Sequence, residues 1–222
     1  MAAPGDHVER LRRLDCCGVS DALDRLGLAG VSSGLVPQST AGRIAGRVIT
    51  VKLGQGDPPP GPPRHLGTTA VELGGSDDII VVEQRSGVIA GSWGGLLTLA
   101  AKLRGITGIV SDGLVRDMDE AVDLGMPIYA RGCTAQTARG RVVELGTNIP
   151  ITVGDIKVAP GDYVIADRSA VIFIRQSDIE AVLDIAEQLV AREGEMARAL
   201  LAGVAVSDVM GGNYENMLKD QS

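Results

Sequence analysis

Histidine and aromatic residues are scarce in this 222-residue chain: two His, one Trp, one Phe and three Tyr. Each shortage excludes something. Two histidines, His7 near the start and His65 in a proline-rich stretch, cannot build a multi-histidine zinc site and fit a Ser–His–Asp triad poorly. Any metal should therefore be a hard ion held by oxygen. With few aromatic rings, the core must be made of Val, Ile, Leu and Ala. Cys16, Cys17 and Cys133 are odd in number, and two are adjacent, so no disulfide framework is implied and a reducing compartment is favoured. Positive charge is in deficit, at 21 Lys+Arg against 28 Asp+Glu for a net −7. Such a chain suits neither nucleic acid nor an anionic membrane surface. No apolar run is long enough to span a bilayer, and Asp6, Glu9, Arg10, Arg12 and Arg13 leave no apolar signal core near the start. These features point to a cytoplasmic protein without membrane or nucleic-acid partners.

Glycine, by contrast, is abundant at 30 residues, which implies tight turns and close backbone approaches. The spacing predicts a short helix over 7–15 and a second over 21–26, capped by Ser20 and stopped by Gly27. It predicts strands at 46–53, 79–82 and 87–90, and a helix over 65–73. A buried helix over 96–103 ends at Gly105. It is followed by a strand at 106–110 with an Asp112-Gly113 turn, a helix over 119–124 and a strand at 127–130. The β-α-β-α-β order from 88 to 130 argues for parallel strands with helical crossovers. Short strands with hairpin turns follow over 142–174. Ser177 to Glu180 reads as a capping box before an amphipathic helix that runs to about 202. No boundary divides the chain, so residues 1–222 read as one domain, with N-terminal helices over about 7–27 and a C-terminal helix over about 178–202.

Two segments could carry chemistry. Gly94-Gly95-Leu96-Leu97 opens a helix, where the first N–H groups lack internal partners and the helix dipole favours an anion. Read alone, it favours a tight turn over a buried helix, because Gly-Gly is common in turns. Arg116-Asp117 follows a strand end, the place where ligands sit in α/β sheets. Arginine matches a carboxylate in two-pronged fashion, and Asp117 offers a hard oxygen to Mg²⁺. On spacing alone the pair also fits a surface ion pair or an Asp capping the next helix. Asp112 is expected to shape its turn, Asp119 and Glu120 to favour a helix N-terminus, and Lys102 to have no special reactivity.

Together, Gly94-Gly95-Leu96-Leu97, Arg104 to Val110 and Asp112-Gly113-Leu114-Val115-Arg116-Asp117 resemble the signature of the 4-hydroxy-4-methyl-2-oxoglutarate aldolase family, which includes the regulators of ribonuclease activity A. Val19 to Asp24, Gly125 to Gly132 and Val158 to Asp167 also match, so the resemblance spans most of the chain. It implies an α/β fold: an α-β-β-α sandwich with a swivelling β/β/α-like core, a mixed sheet with β-α-β crossovers and a C-terminal helix. It implies homotrimers or hexamers with sites between subunits. It implies that the amides of Gly94, Gly95, Leu96 and Leu97 bind a substrate carboxylate. Arg116 would contact substrate, and Asp117 would bind Mg²⁺ or Mn²⁺. The activity implied is metal-dependent retro-aldol cleavage of 4-hydroxy-2-oxo acids to pyruvate, with oxaloacetate decarboxylation. The alternative is a non-catalytic regulator-like binding protein. The chain departs from the family at Gly95, where active aldolases carry an acid that helps hold metal-bound water. A further acid from a neighbouring subunit corresponds to Glu193 or Glu195 in this reading.

Overall fold

The computed structural model describes residues 4–62 and 64–211. The first two helices are α1 (Pro4–Arg12) and α2 (Cys16–Leu26). Two short strands, β1 (Val31–Ser32) and β2 (Val36–Pro37), precede the long β3 (Ile44–Gly54). Then come α3 (Thr68–Leu73), β4 (Asp78–Gln84), α4 (Gly95–Leu103), β5 (Gly108–Val115), α5 (Met118–Asp123) and β6 (Ile128–Cys133). The remainder is β7 (Val143–Thr147), β8 (Ile151–Val153), β9 (Ile156–Val158), β10 (Tyr163–Ala166), β11 (Val171–Ile174), α6 (Ile179–Leu201) and α7 (Val206–Val209).

Nine strands form one mixed sheet in the order β1-β11-β10-β3-β4-β5-β6-β2, with β7 also paired to β3. The central β3-β4-β5-β6 run is parallel, joined by helical crossovers, while the flanking pairs are antiparallel. β8 and β9 form a separate hairpin turned at Gly154-Asp155. Side chains alternate across the sheet, and each face finds its own cover. On one face α1, α2 and α6 pack over β10 and β11 through Leu11, Leu23, Ile165, Ile172, Val182 and Leu183. On the same face α3, α4 and α5 pack over β3 to β6 through Val71, Ile80, Trp93, Leu97, Ile109 and Ala121. The other face curls upon itself, so that Val81, Val110 and Tyr129 share one cluster with Phe173 and with Val153 of the hairpin. The mixed α/β architecture and the C-terminal helix match the expectation from sequence.

Local details differ from the sequence reading, each for a physical reason. α2 starts at Cys16, not Asp21. Asp15 is its N-cap, accepting a hydrogen bond from Gly18 N at 2.8 Å, while Gly27 ends it at φ 64° as expected. Residues 87–90 are not a strand: Gly87 turns the chain at φ 77° and Ile89 is exposed. Asp112-Gly113 is not a turn, because β5 runs through it to Val115. Gly113 is there for space, since a Cβ would lie 2.7 Å from Gln84 Cβ. The Ser177–Glu180 capping box is not formed. Asp178 is the N-cap of α6, with no side-chain bond to the helix. α3 begins at Thr68, three residues later than expected.

Candidate functional site at the turn into α4

Segment 91–94 is laid along the end of β5 like an extra strand. Gly91 bridges Leu114 in parallel, Ser92 N donates to Leu114 O at 2.7 Å, and Arg116 N donates to Trp93 O at 3.0 Å. Ser92 Oγ lies 2.6 Å from Ser111 Oγ, which ties the segment to the strand below. Trp93 is the anchor. Its side chain is buried under the turn, and its indole Nε1 donates to Thr98 Oγ1 at 3.1 Å. Thr98 Oγ1 in turn donates to Gly94 O at 3.0 Å, clasping the first turn of α4. Gly91 leaves room for the stem of Arg116, whose Cγ and Cδ would each lie 2.9 Å from a Cβ at that position.

The two segments singled out by sequence meet here. Asp117 is the N-cap of α5 and adopts φ 61°, a left-handed conformation that Asp tolerates better than most residues. Its carboxylate does not cap its own helix. Asp117 Oδ2 instead accepts from Gly95 N at 2.9 Å, and both oxygens accept from Arg116 Nε at 3.1 Å. The Arg116 and Asp117 side chains are 35% and 30% exposed, so the pair is open to a ligand yet held by the backbone. Its net contribution to stability is then small, as for exposed pairs in general. The terminal nitrogens of Arg116 make no hydrogen bond among the described residues.

Gly95, one of the four expected carboxylate-binding amides, is already occupied by Asp117. The N–H groups of Leu96 and Leu97 have no partner among the described residues and remain available to an anion. Gly94 is extended at φ −150°, which any residue adopts, so its glycine is explained by space. A Cβ there would lie 2.9 Å from Asp117 Oδ2 and 3.3 Å from Arg116 Cγ.

The other candidates fall elsewhere. Asp112 is buried on the opposite face, where it accepts from Arg131 Nε at 2.7 Å and Gly154 N at 2.8 Å and pairs with Arg85 at 3.6 Å. It fastens the hairpin to the sheet. Lys102 Nζ donates to Gly125 O at 3.3 Å. Glu193 lies beside α2, where burial, then the Asp21 and Asp15 carboxylates, push its carboxyl up. His7 is buried against Tyr163 and His65 contacts Leu66 O, so neither joins a triad at the turn. All three cysteines are free, and burial pushes the Cys16 and Cys133 thiols up, away from nucleophilic use. Two surface cavities, of about 600 and 520 Å³, lie away from the turn, beside Ile156 and Arg175 and beside Pro58 to Pro62. Among the described residues no group of three or more His, Cys, Asp or Glu could cage a metal, and no helix is long and apolar enough to cross a membrane.

The chain is similar to several known proteins. A protein of Halalkalibacterium halodurans, provisionally named 4-hydroxy-4-methyl-2-oxoglutarate aldolase, is 29% identical over 197 residues, 88% of this chain and 89% of the relative. A crystal structure of an uncharacterised Pseudomonas syringae protein superposes with a TM-score of 0.83 at 24% identity, covering 95% of this chain and 100% of the other. Streptomyces coelicolor RraAS2, described as an unusual member of the RNase ES inhibitor RraA protein family, superposes with a TM-score of 0.75 at 24% identity, covering 89% and 98%. The RraA-like family model (aldolase/RraA) matches residues 16–173, and the chain belongs to that family.

Proposed function

We propose that this chain is a divalent-metal-dependent lyase that releases pyruvate from 4-hydroxy-2-oxo acids by retro-aldol cleavage and from oxaloacetate by decarboxylation. The observation that carries the reading is the hydrogen bond from Gly95 N to Asp117 Oδ2, which holds the Arg116–Asp117 pair against the free amides of α4. Asp117 fits Mg²⁺ or Mn²⁺: one hard carboxylate suits an ion that keeps most of its water and takes only one or two protein oxygens. Such an ion, when bound, supplies Lewis-acid polarisation of the 2-oxo group. The terminal nitrogens of Arg116 grip the substrate carboxylate, and the Leu96 and Leu97 amides face the same anion. Both reactions leave their electron pair on the same pyruvyl oxygen, so one site serves both.

The reading includes a homotrimer or hexamer. α4 exposes Leu96 at 86%, Leu99 at 40% and Leu103 at 79%, and α5 exposes Val122 at 51%. A second copy covering this face would wall off the turn from water. Such apolar patches mark contact surfaces on soluble proteins. Gly95, which brings no acid of its own, favours the second reading, a non-catalytic regulator-like binding protein.

Pyruvate release from oxaloacetate separates the two. The lyase reading expects release above the background rate of free Mg²⁺ and loss of that excess with a chelator. Release equal to the metal's own background overturns it. Gly94→Ala is expected to cut kcat/KM by roughly 100-fold, because a displacement of about 1 Å at a reacting centre has that effect. Its melting temperature should stay near that of the parent, since the backbone at Gly94 is ordinary.

A further inference from the structure

We infer that Glu120 is a second carboxylate of the proposed cation site and holds a water of the hydrated ion in the space that Gly95 leaves open. The inference rests on the lyase reading and adds a residue to it.

Asp117 is the N-cap of α5, and Glu120 stands three residues on in its first turn. A Cβ built on Gly95 would lie 3.2 Å from Glu120 Oε2 and 3.5 Å from Asp117 Oδ2. The two carboxylates therefore converge on one point at the first turn of α4. Glu120 makes no side-chain hydrogen bond or ion pair among the described residues. Two like charges meeting at one place repel, and a cation standing with them adds to the relief that solvent gives the exposed Glu120 and the Gly95 amide gives Asp117. Arg116 offsets a single charge, and an anionic substrate would add more negative charge to the turn. A divalent ion reconciles the set.

Glycine at position 95 needs the same explanation. Its backbone is helical, not left-handed, so conformation does not require glycine. Space bears on it instead: a side chain there would press on Glu120 Oε2 and, at 3.3 Å, on Asp117 Cβ, so these neighbours would have to give by a few tenths of an ångström. Glycine at 95 and glutamate at 120 are thus complementary: the acid reaches the turn from α5 because none projects from α4.

Mn²⁺ binding to the full chain, read by electron paramagnetic resonance of the free ion, tests this independently of turnover. Glu120→Ala is expected to weaken Mn²⁺ roughly 10- to 100-fold, the usual effect of removing an outer-shell partner. Gly95→Asp combined with Glu120→Ala should recover binding to within about 3-fold, because the new acid enters the vacated space. Glu120→Gln, which keeps the side-chain length and removes only the charge, carries the test if the double variant melts early. Unchanged Mn²⁺ affinity in Glu120→Ala and Glu120→Gln, with affinity lost in Asp117→Ala, overturns the role of Glu120 and leaves the lyase reading standing. A double variant that melts with the parent yet binds as weakly as Glu120→Ala overturns the claim that Glu120 fills the space at Gly95. A parent chain that binds Mn²⁺ no better than Asp117→Ala overturns both.

Discussion

Asp117→Asn is expected to reduce metal-dependent pyruvate release from oxaloacetate at least 100-fold, to near the rate of free Mg²⁺, while the protein stays folded. The expected loss corresponds to about 2.7 kcal/mol of transition-state stabilisation or more. Asparagine separates charge from geometry at this position. It adopts left-handed backbone readily, so the φ of 61° is kept. Its amide oxygen can still accept from Gly95 N, which now bonds Asp117 Oδ2. Only the negative charge is removed, and with it the attraction for a hard cation. Asp117→Ala should lose as much activity and some stability besides, about 1–2 kcal/mol, because alanine is strained at positive φ. Melting curves read beside initial rates distinguish the two effects. An Asp117→Asn protein with parental activity in the presence of Mg²⁺ sinks the proposed mechanism.

The parallel core was legible from sequence because each of its signals is local. Runs such as Ile79-Ile80-Val81-Val82 are too short and too β-branched for helices, and the apolar Leu96 to Leu103 is closed by Gly105, although the helix is not buried as expected, since Leu96, Leu99 and Leu103 are exposed. The failures occurred where a long-range contact overrode a local signal. Asp112-Gly113 has the composition of a turn, yet Gly113 is a glycine because β4 presses against it at Gln84. Ser20 has the composition of a cap, but Gly18 is accommodated inside α2, where a Cβ would lie 2.6 Å from Val190 Cγ2 of α6. α2 starts at Cys16 because the Asp15 carboxylate caps it through Gly18 N. Gly87 to Ala90 is apolar enough for a strand, but the positive φ of Gly87 turns the chain there. At the candidate site, the sequence offers the Gly94–Gly95 turn and Arg116-Asp117 as two segments that could face each other, since a loop after one strand and the end of the next lie side by side in a parallel sheet. The occupied amide of Gly95 was not foreseen, because it depends on the left-handed turn of Asp117. By sequence, Glu120 belongs to the helix dipole of α5. The signal that could have found it was its spacing of three from Asp117 on a helix beginning there.

Trp93→Ala should be the most destabilising single change near the turn, at about 3–5 kcal/mol, the range for truncating a large buried aromatic side chain. In a chain of this size that lowers the melting temperature by roughly 10 °C or more. Trp93 is 1% exposed and packs between the sheet and α3, where a Cβ on Gly67 would come within 3.1 Å of its Cζ3. The substitution opens a cavity in the cluster shared with Leu97 and Ala101. It also removes the indole donor to Thr98, the hydroxyl that holds Gly94 O. Fold and site are coupled through this residue: its backbone oxygen accepts from Arg116 N, and its ring sets the height of the Gly94–Gly95 turn. Activity should therefore fall even at temperatures where the alanine variant remains folded. Trp93→Phe keeps most of the volume and loses the hydrogen bond, so its cost should be about 1–2 kcal/mol. Circular dichroism is the right probe for both variants, because Trp93 is the single tryptophan of the chain and they lack it. That same fact makes its fluorescence in the parent protein a direct reporter on the turn. Mn²⁺ with oxalate, which mimics the enolate of pyruvate, should shift the emission in the parent and leave it unmoved in Asp117→Asn. A Trp93→Ala protein that melts within about 2 °C of the parent would show that the turn stands without its anchor, against the packing argument.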